Sequence, residues 1–367
     1  MTNIEKILCG NERYFSMLAL MASLSNLFSE SEIPFIHYRI TENLFCKYLG
    51  AINLSRTDTA YDAKIGDIGI GIKTFTLPNS TSKEKIAEFN ALSPILRNLD
   101  GIDLAYKLAD FRNERMTVAN GLYGINSSIY HIIGRRKDSL YVFNTDYDFV
   151  DKDHIELLKS NDKSLHFSDG KNIYSFNRSK TVLMKEFELQ ENAHKIDVDI
   201  IQDPFNILES LLTTKVNLEF VMPKEQVLLP LFSEKGGLKY VPTKSGLNQW
   251  NASGRPRDEN EVYIPIPASL HKSKPYFFPD RNTIFNLLLP DGTNMKAKVC
   301  QAGGKALMSN PNKALGEWIL RKVLHKNPGT LVSYEDLIIA GFDSIIVTKI
   351  ADLTYSLDVS RDKSFTY

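Results

Sequence analysis

The sequence predicts an α+β protein of two domains, an N-terminal α/β domain and a C-terminal domain built mostly of β-strands. A chain of 367 residues is long for a single hydrophobic core. Helical spacing of apolar residues dominates the first part of the chain, and short alternating strands separated by turns dominate the rest. We place the N-terminal domain at residues 1–195, a linker with a short helix at 196–224 and the C-terminal domain at 225–367.

The bulk composition is that of an ordinary globular protein. Hydrophobic residues make up 43% and charged residues 24%. No stretch approaches the roughly 18 apolar residues that a membrane span requires, so no membrane association is expected. The N-terminus lacks the pattern of a secretory signal. The three cysteines, Cys9, Cys46 and Cys300, form no zinc pattern and no evident disulfide framework. A cytoplasmic protein is therefore expected.

The N-terminal domain reads as helices around an apolar strand. Leucines repeat at three and four positions in the first thirty residues, and a second helix is predicted at Tyr38–Leu49. The apolar run Ile68–Phe75 predicts a strand. Further helices are predicted over Lys83–Leu92 and around Ala105–Thr117.

Strands and turns follow from Ser127 to Glu188, where turn residues separate apolar segments as in hairpins. The polar stretch Gln190–Gln202 is the predicted linker, and Phe205–Leu212 is a short helix. In the C-terminal domain one clear helix is predicted at Asn312–Leu324, with Ser309 or Asn310 as a potential cap.

Charge is distributed unevenly along the chain. Its 44 basic and 44 acidic residues cancel, but residues 230–330 hold 15 basic against 7 acidic side chains, which leaves 29 against 37 elsewhere. A local excess of positive charge attracts phosphate groups whatever the net charge of the chain. The C-terminal domain is thus a candidate nucleic-acid binder, although an uneven solvated surface would give the same count.

The same region carries a recognisable series of motifs: Val262-Tyr263-Ile264-Pro265-Ile266-Pro267, Gly303-Gly304-Lys305 and Leu315-Gly316-Glu317-Trp318. Over residues 228–350 it resembles the C-terminal DNA-recognition domain of restriction endonucleases such as NgoFVII and BfiI. That resemblance implies a β-pseudobarrel, shared with the effector domain of EcoRII and with plant B-three transcription factors, in which two loops grip the DNA major groove.

The resemblance maps the first gripping loop to residues 244–257 and the second to residues 302–312. Arginine can bond guanine, and asparagine or glutamine adenine, through two hydrogen bonds, whereas lysine and serine more often hold phosphates. The predicted base-reading residues are Asn248, Gln249, Asn251, Arg255, Arg257, Asn310 and Asn312. The other predicted DNA contacts are Lys244, Ser245, Trp250, Lys272, Lys274, Lys305 and Ser309. Asn310 could instead be only a helix cap, and Trp250 a packing anchor.

A second resemblance concerns the N-terminal domain. Asp62 is followed eleven positions later by Lys73 in the apolar strand, similar to the Asp…Glu-x-Lys core of the restriction-endonuclease-like, PD-(D/E)XK, nucleases. In those enzymes the aspartate ends one strand, and after a hairpin the next strand offers a carboxylate and the lysine on one face. Here position 71, where the second carboxylate is expected, is Gly71. We predict Glu88 in its place, with Glu84 as the second choice and Glu42 as a supporting acid.

These residue types suit Mg²⁺-dependent hydrolysis of phosphodiesters. Carboxylate oxygens are the ligands that Mg²⁺ prefers, so Asp62 and Glu88 are the predicted metal ligands. The metal lowers the pKa of an attacking water, which Lys73 could orient. A metal-independent phospholipase-D-type nuclease is excluded, because none of the seven histidines has the required lysine two positions later.

The sequence therefore predicts a type II restriction endonuclease that cuts double-stranded DNA. It would act as a homodimer or by transient pairing on DNA, and the resemblance implies a cognate DNA methyltransferase. Two alternatives stay open. One is a non-cleaving, sequence-specific DNA-binding regulator, which the missing acid at Gly71 favours. The other is an endonuclease that requires modified bases.

Overall fold

The computed structural model describes residues 11–55, 59–213 and 225–361. Contacts divide the chain into two units. Unit 1 comprises Met1–Arg56, Ala60–Asn113 and Ile125–Phe220, and unit 2 comprises Thr57–Thr59, Glu114–Gly124 and Val221–Tyr367. No helix in the described residues is both long and apolar enough to span a bilayer.

The helices are α1 (Glu12–Ser23), α2 (Tyr38–Leu49), α3 (Ser93–Leu96), α4 (Gly101–Tyr123), α5 (Phe205–Thr213), α6 (Ala268–Ser273), α7 (Ala314–Gly316, continued by π-helical turns over Glu317–Val323) and α8 (Tyr334–Ala340). Single 3₁₀ turns cover Ser25–Leu27, Asn90–Leu92 and Lys152–His154, and a longer one covers Gly246–Asn251.

The strands of unit 1 are β1 (Ile52–Asn53), β2 (Ala63–Ile65), β3 (Ile68–Thr76), β4 (Thr81–Glu88), β5 (Ser127–Arg136), β6 (Ser139–Asp146), β7 (Glu156–Ser160), β8 (Ser164–Ser168), β9 (Ile173–Asn177), β10 (Val182–Glu188) and β11 (His194–Asp197). Those of unit 2 are β12 (Gln226–Pro230), β13 (Ser233–Lys235), β14 (Leu238–Tyr240), β15 (Ile264–Pro265), β16 (Ile284–Leu288), β17 (Asn294–Cys300), β18 (Ala306–Ser309), β19 (Ser344–Ala351) and β20 (Thr354–Ser360).

Unit 1 contains two sheets in its described part. The first has the order β1-β2-β3-β5-β6-β11, and β3 pairs with β5 in parallel. Helices α1 and α2 pack on one face of this sheet, where Leu18 and Phe45 meet Ile70 and Ile72 of β3. The second sheet, β4-β10-β9-β8-β7, is antiparallel throughout.

Two sequence predictions in unit 1 need correction. The segment predicted as the helix Lys83–Leu92 forms strand β4, because it pairs along its length with β10 and this pairing overrides its helical propensity. The predicted linker Gln190–Gln202 is not a free connection. It contains β11, which pairs with β6 and buries Ile196 in the core beneath α1.

Unit 2 is built on a seven-stranded sheet of order β12-β19-β20-β16-β17-β18-β15, in which only β16 and β20 pair in parallel. The two edge strands, β12 and β15, approach each other without forming a hydrogen-bonded ladder. The sheet therefore curves without closing into a barrel. The predicted strand-rich C-terminal domain is confirmed in this form.

Candidate DNA-binding and metal-binding residues

Two of the predicted catalytic acids, Glu42 and Asp62, interact electrostatically in unit 1. Glu42 lies on α2 and is only 4% exposed, and its carboxylate contacts Arg39 Nη1 at 3.0 Å. Burial, followed by the negative charge of Asp62, raises the pKa of Glu42, against the hydrogen bonds from Ser55 and Arg39. The structure therefore brings Glu42 and Asp62 within electrostatic reach of each other, as the nuclease prediction requires.

A β-bulge turns Asp62 towards α2. The Asp62 N–H donates to the Ile70 carbonyl at 2.9 Å, although Ala63 is already the ladder partner of Ile70. Two residues thus oppose one, which shifts the alternation of side chains along the strand. The Asp62 carboxylate then accepts a 2.7 Å hydrogen bond from the Ile72 N–H. The charge of Asp62 acts on Glu42 and Cys46 of α2, so the Asp62 carboxylate lies on that side of the sheet.

Lys73 lies on the opposite side of β3. A Cβ atom at Gly71 would come within 2.9 Å of the rings of Tyr130 and Tyr147, so position 71 faces these aromatic side chains and not α2. Strand alternation places Lys73 on the same face as Gly71, where its charge acts on Glu84 of β4. The predicted sharing of one face by positions 71 and 73 holds, but that face is not the one that carries Asp62 and Glu42.

Glu88 is separated from these acids. It sits at the end of β4 in the second sheet, where it pairs with Lys85 at 3.0 Å and with the Asn90 amide. The structure does not bring Glu88 to Asp62, because the predicted helix Lys83–Leu92 is instead strand β4 of the other sheet. Among the described residues, no group of three or more His, Cys, Asp or Glu side chains is arranged to hold a metal ion.

The first predicted DNA-gripping loop begins with the 3₁₀ turn Gly246–Asn251, and Asn248 within it is completely buried. Its amide donates to the carbonyls of Pro242 at 3.1 Å and Val332 at 2.9 Å, and its Oδ1 accepts from the Val332 N–H at 2.9 Å. The prediction that Asn248 reads a base is wrong, because this side chain is committed to fixing the loop and has no solvent access.

Two arginines in this loop play different structural parts. The Arg257 guanidinium donates to the carbonyls of Ala252 at 2.5 Å and Ser253 at 3.1 Å, and its side chain is 12% exposed. Arg255 is 53% exposed and reaches the buried Glu261 carboxylate at 2.5 Å. Arg257 therefore fixes the backbone of the loop through these hydrogen bonds, and the prediction that it reads a base is wrong. Arg255 can still turn towards a ligand.

The end of the first loop is anchored to the helical segment that follows β18. Arg321 donates through Nε to the Asn260 side chain and through Nη2 to the Glu259 carbonyl, each at 2.8 Å. A Cβ atom at Gly316 would lie 1.9 Å from the Asn260 carbonyl oxygen, so only glycine allows this approach. Sequence analysis missed Glu261, Gly316 and Arg321, because their roles depend on contacts distant in sequence.

The second predicted loop spans a strand. Residues 301–305 precede β18, whereas Asn310 and Asn312 follow it. Pairing of Ile264 with Leu307 puts Asn310 and Asn312 at the end of β18 where the first loop enters β15. Ser309 is 1% exposed, and its hydroxyl accepts from the Leu315 N–H at 2.9 Å. The predicted phosphate contact by Ser309 is therefore corrected to a buried bond to the following helix.

The remaining predicted contacts are accessible to different degrees, and their DNA roles stay predictions. Trp250 is half-buried, and its indole N–H has no hydrogen-bond partner in the described residues. The exposed ones are Lys244, Asn251, Lys272, Lys305 and Asn312, and the half-buried ones are Ser245, Gln249, Lys274 and Asn310.

Comparison with known protein families agrees with the character of unit 2. No curated protein matches the chain as a whole at a significant level. Residues 222–350 match the family described as the NgoFVII C-terminal B3-like DNA-binding domain. Over those residues this chain is thus similar to the B3-like DNA-binding domain of the NgoFVII family.

Proposed function

We propose that this protein is a type II restriction endonuclease, which recognises a short sequence of double-stranded DNA through residues 222–350 and cuts the duplex at or near that site. The observation that carries this proposal is the match of that region to the DNA-binding domain of a restriction-enzyme family. Cutting both strands is simplest with two catalytic centres, so the proposal includes a homodimer or pairing on DNA, and a cognate methyltransferase that protects host DNA.

For recognition, the proposal relies on side chains that are both exposed and held on a fixed backbone. Arg255 projects from a loop stapled by Arg257 and anchored by Arg321. A pre-ordered loop loses little conformational entropy on binding, which favours affinity. Arg255 would then form the two-bonded contact with guanine that arginine makes in the major groove.

For cutting, the proposal relies on Asp62 and Glu42. Burial, followed by the negative charge of Asp62, raises the pKa of Glu42, and a bound cation would offset both effects. Two carboxylates suit Mg²⁺, which often keeps several waters and uses few protein ligands. Bound there, Mg²⁺ would polarise a phosphate and lower the pKa of an attacking water. Glu88 is no longer part of this proposal, and Lys73 would have to act from the other face of β3.

A non-cleaving DNA-binding protein is the second candidate, and the geometry around Gly71 favours it. That position carries no carboxylate, its face is filled by Tyr130 and Tyr147, and Lys73 points away from the acids. In this case unit 1 would serve another purpose, and the Glu42–Asp62 pair would be a structural feature of α2 and β2.

Incubation of the purified protein with phage and plasmid DNA, in Mg²⁺ or in EDTA, separates the two candidates. The endonuclease predicts discrete fragments that require Mg²⁺ and disappear in Asp62→Ala, whereas Glu88→Ala, as the matched control, still cuts. Lys73→Ala reports whether the lysine takes part. Intact DNA in every lane, together with sequence-dependent binding, would reject cutting of unmodified DNA. Phage DNA with modified cytosines, cut in the same assay, would identify a modification-dependent enzyme.

A further inference from the structure

The cations of unit 2 fall into two groups according to their partners. Those close to the helical segment after β18 are matched by carboxylates: Lys313 with Glu317 at 3.8 Å, Lys322 with Asp291 at 2.8 Å and Lys326 with Asp336 at 2.7 Å. Positive charge on this side of the unit is therefore largely neutralised within the protein.

A second group surrounds α6 and has no such partners. Within the described residues, no carboxylate lies within ion-pair distance of Lys272, Lys274, Lys305 or Lys349. Lys274 Nζ donates instead to the Gln226 carbonyl at 2.7 Å. Glu225 and Asp352 lie near enough to act on Tyr355, but they form no ion pair with these lysines. The ammonium groups therefore stay available to an anionic ligand.

An exposed tyrosine lies among these lysines. Tyr276 is 87% exposed, and its carbonyl accepts a 3.5 Å hydrogen bond from Lys349 Nζ. The turn that carries it is firmly held, since the Phe277 N–H donates to the Lys274 carbonyl at 3.2 Å. Phe277 is itself buried, and its carbonyl accepts from the Tyr355 hydroxyl at 2.7 Å. A rigid backbone thus presents an aromatic ring to solvent between positive charges.

The same surface continues to the loop before β18. His271 Nε2 donates to the Gly304 carbonyl at 2.9 Å, which ties α6 to the loop that carries Lys305. Strand β18 has four residues and is therefore roughly 13 Å long, at about 3.3 Å per residue. This length is close to the width of the major groove of DNA, which is about 12 Å. One duplex can therefore reach both ends of this strand.

We propose that Lys272, Lys274, Tyr276, Lys305 and Lys349, here called the Tyr276 surface, bind the sugar–phosphate backbone of duplex DNA that flanks the recognised sequence. The Tyr276 hydroxyl donates to a phosphate oxygen, its ring packs against a deoxyribose, and Lys349 supplies charge beside it. Such contacts carry no sequence information and position the protein on the duplex. This inference rests on the proposed DNA-binding function and adds Tyr276 and Lys349 to the interface.

Equilibrium binding of the full-length protein, in EDTA, to a 5′-labelled mixed-sequence duplex of about three helical turns tests this surface. We expect Tyr276→Ala to weaken binding about tenfold or more, because the hydrogen bond to a charged group and the packing of the ring against a deoxyribose are both lost. Tyr276→Phe should weaken it less, since the ring remains. Lys349→Ala should reduce the slope of log K against log salt by about 0.9, as expected for one phosphate contact.

Two matched variants control for general effects of losing an exposed tyrosine or a lysine. Tyr240→Ala removes a 44% exposed tyrosine from β14, and Lys235→Ala removes an exposed lysine from the neighbouring strand β13. Both should bind like the wild type. If Tyr276→Ala and Lys349→Ala also bind like the wild type, the Tyr276 surface is refuted while DNA binding stands. If the wild type binds no duplex at all, the proposed function fails, and this inference with it.

Discussion

Replacement of Asn248 by alanine is expected to destabilise unit 2 without changing which base pairs are recognised. Its side chain forms three hydrogen bonds in a fully buried position and links the 3₁₀ turn to the segment before α8. If Asn248 instead read a base, as its residue type and position suggested, the same change would alter specificity and leave stability intact.

The size of the effect follows from the groups left without partners. Asn248→Ala leaves the N–H and the carbonyl of Val332 without hydrogen-bond partners, and Val332 is only 1% exposed. The carbonyl of the half-buried Pro242 also loses its partner. A buried polar backbone group without a partner costs about 1–3 kcal/mol, and water can reach Pro242 in part. We therefore expect the free energy of unfolding to fall by about 3–5 kcal/mol.

Urea titrations followed by tryptophan fluorescence measure this loss in unit 2, because both tryptophans, Trp250 and Trp318, lie in that unit. The matched control is Asn251→Ala, which removes one exposed hydrogen bond to Thr243 and should cost less than about 1 kcal/mol. The reasoning is refuted if Asn248→Ala unfolds at the wild-type urea concentration, especially if it has lost discrimination at one base pair.

Four further predictions concern pH, packing and the two arginines. Burial lowers the pKa of His131 to about 4, so the unfolded chain binds a proton at this histidine more readily than the folded unit 1 does. The free energy of unfolding of unit 1 should therefore fall by about 3 kcal/mol as the pH drops from about 6.5 to 4. Urea titrations of His131→Gln should not show this loss. Burial raises the pKa of Asp358 to about 6, so unit 2 should lose about 3 kcal/mol as the pH rises from 3.8 to 6, and Asp358→Asn should remove that slope. Gly316→Ala should destabilise by more than about 2 kcal/mol, because its Cβ would lie 1.9 Å from a backbone oxygen, and a gain in stability from helix propensity would contradict the observed packing. Arg255→Ala should reduce discrimination at one base pair by about 1–3 kcal/mol in competition binding. It should also lower stability, because the buried Glu261 carboxylate keeps only Arg257 Nε, at 3.4 Å, as a cationic partner. Arg257→Ala should lower stability without changing base-pair discrimination, and the reverse pattern would exchange the roles of the two arginines.

Sequence reasoning located elements well where periodicity was strong. Helix α2 has the predicted bounds Tyr38–Leu49, and β3 extends the predicted strand by one residue. It failed at Lys83–Leu92, whose lysines and glutamates favour a helix in isolation. Pairing with β10 decides this segment, and β10 lies nearly a hundred residues further along the chain. The helix propensity of a segment depends on its own residues and cannot reveal a partner strand so distant in sequence.

In the candidate sites, too, the sequence predicted what depends on residue type but not what depends on contacts with distant residues. The resemblance to a family of DNA-recognition domains predicted DNA binding in the C-terminal part, and the family match over residues 222–350 agrees with it. Residue types could not separate Arg255 from Arg257, or Asn248 from Asn251, because exposure decides between reading a ligand and holding a loop. In unit 1, strand alternation placed Gly71 and Lys73 on one face, but the bulge at Asp62 was invisible in the sequence.

Selection from a random duplex library by the full-length protein, in EDTA to prevent cutting, tests most directly the claim that this protein recognises a specific DNA sequence. The account predicts that sequencing of the bound fraction reveals one short motif, and that Arg255→Ala relaxes the preference at one position of it. Binding without enrichment of any motif, or no binding to duplex DNA, would contradict the account.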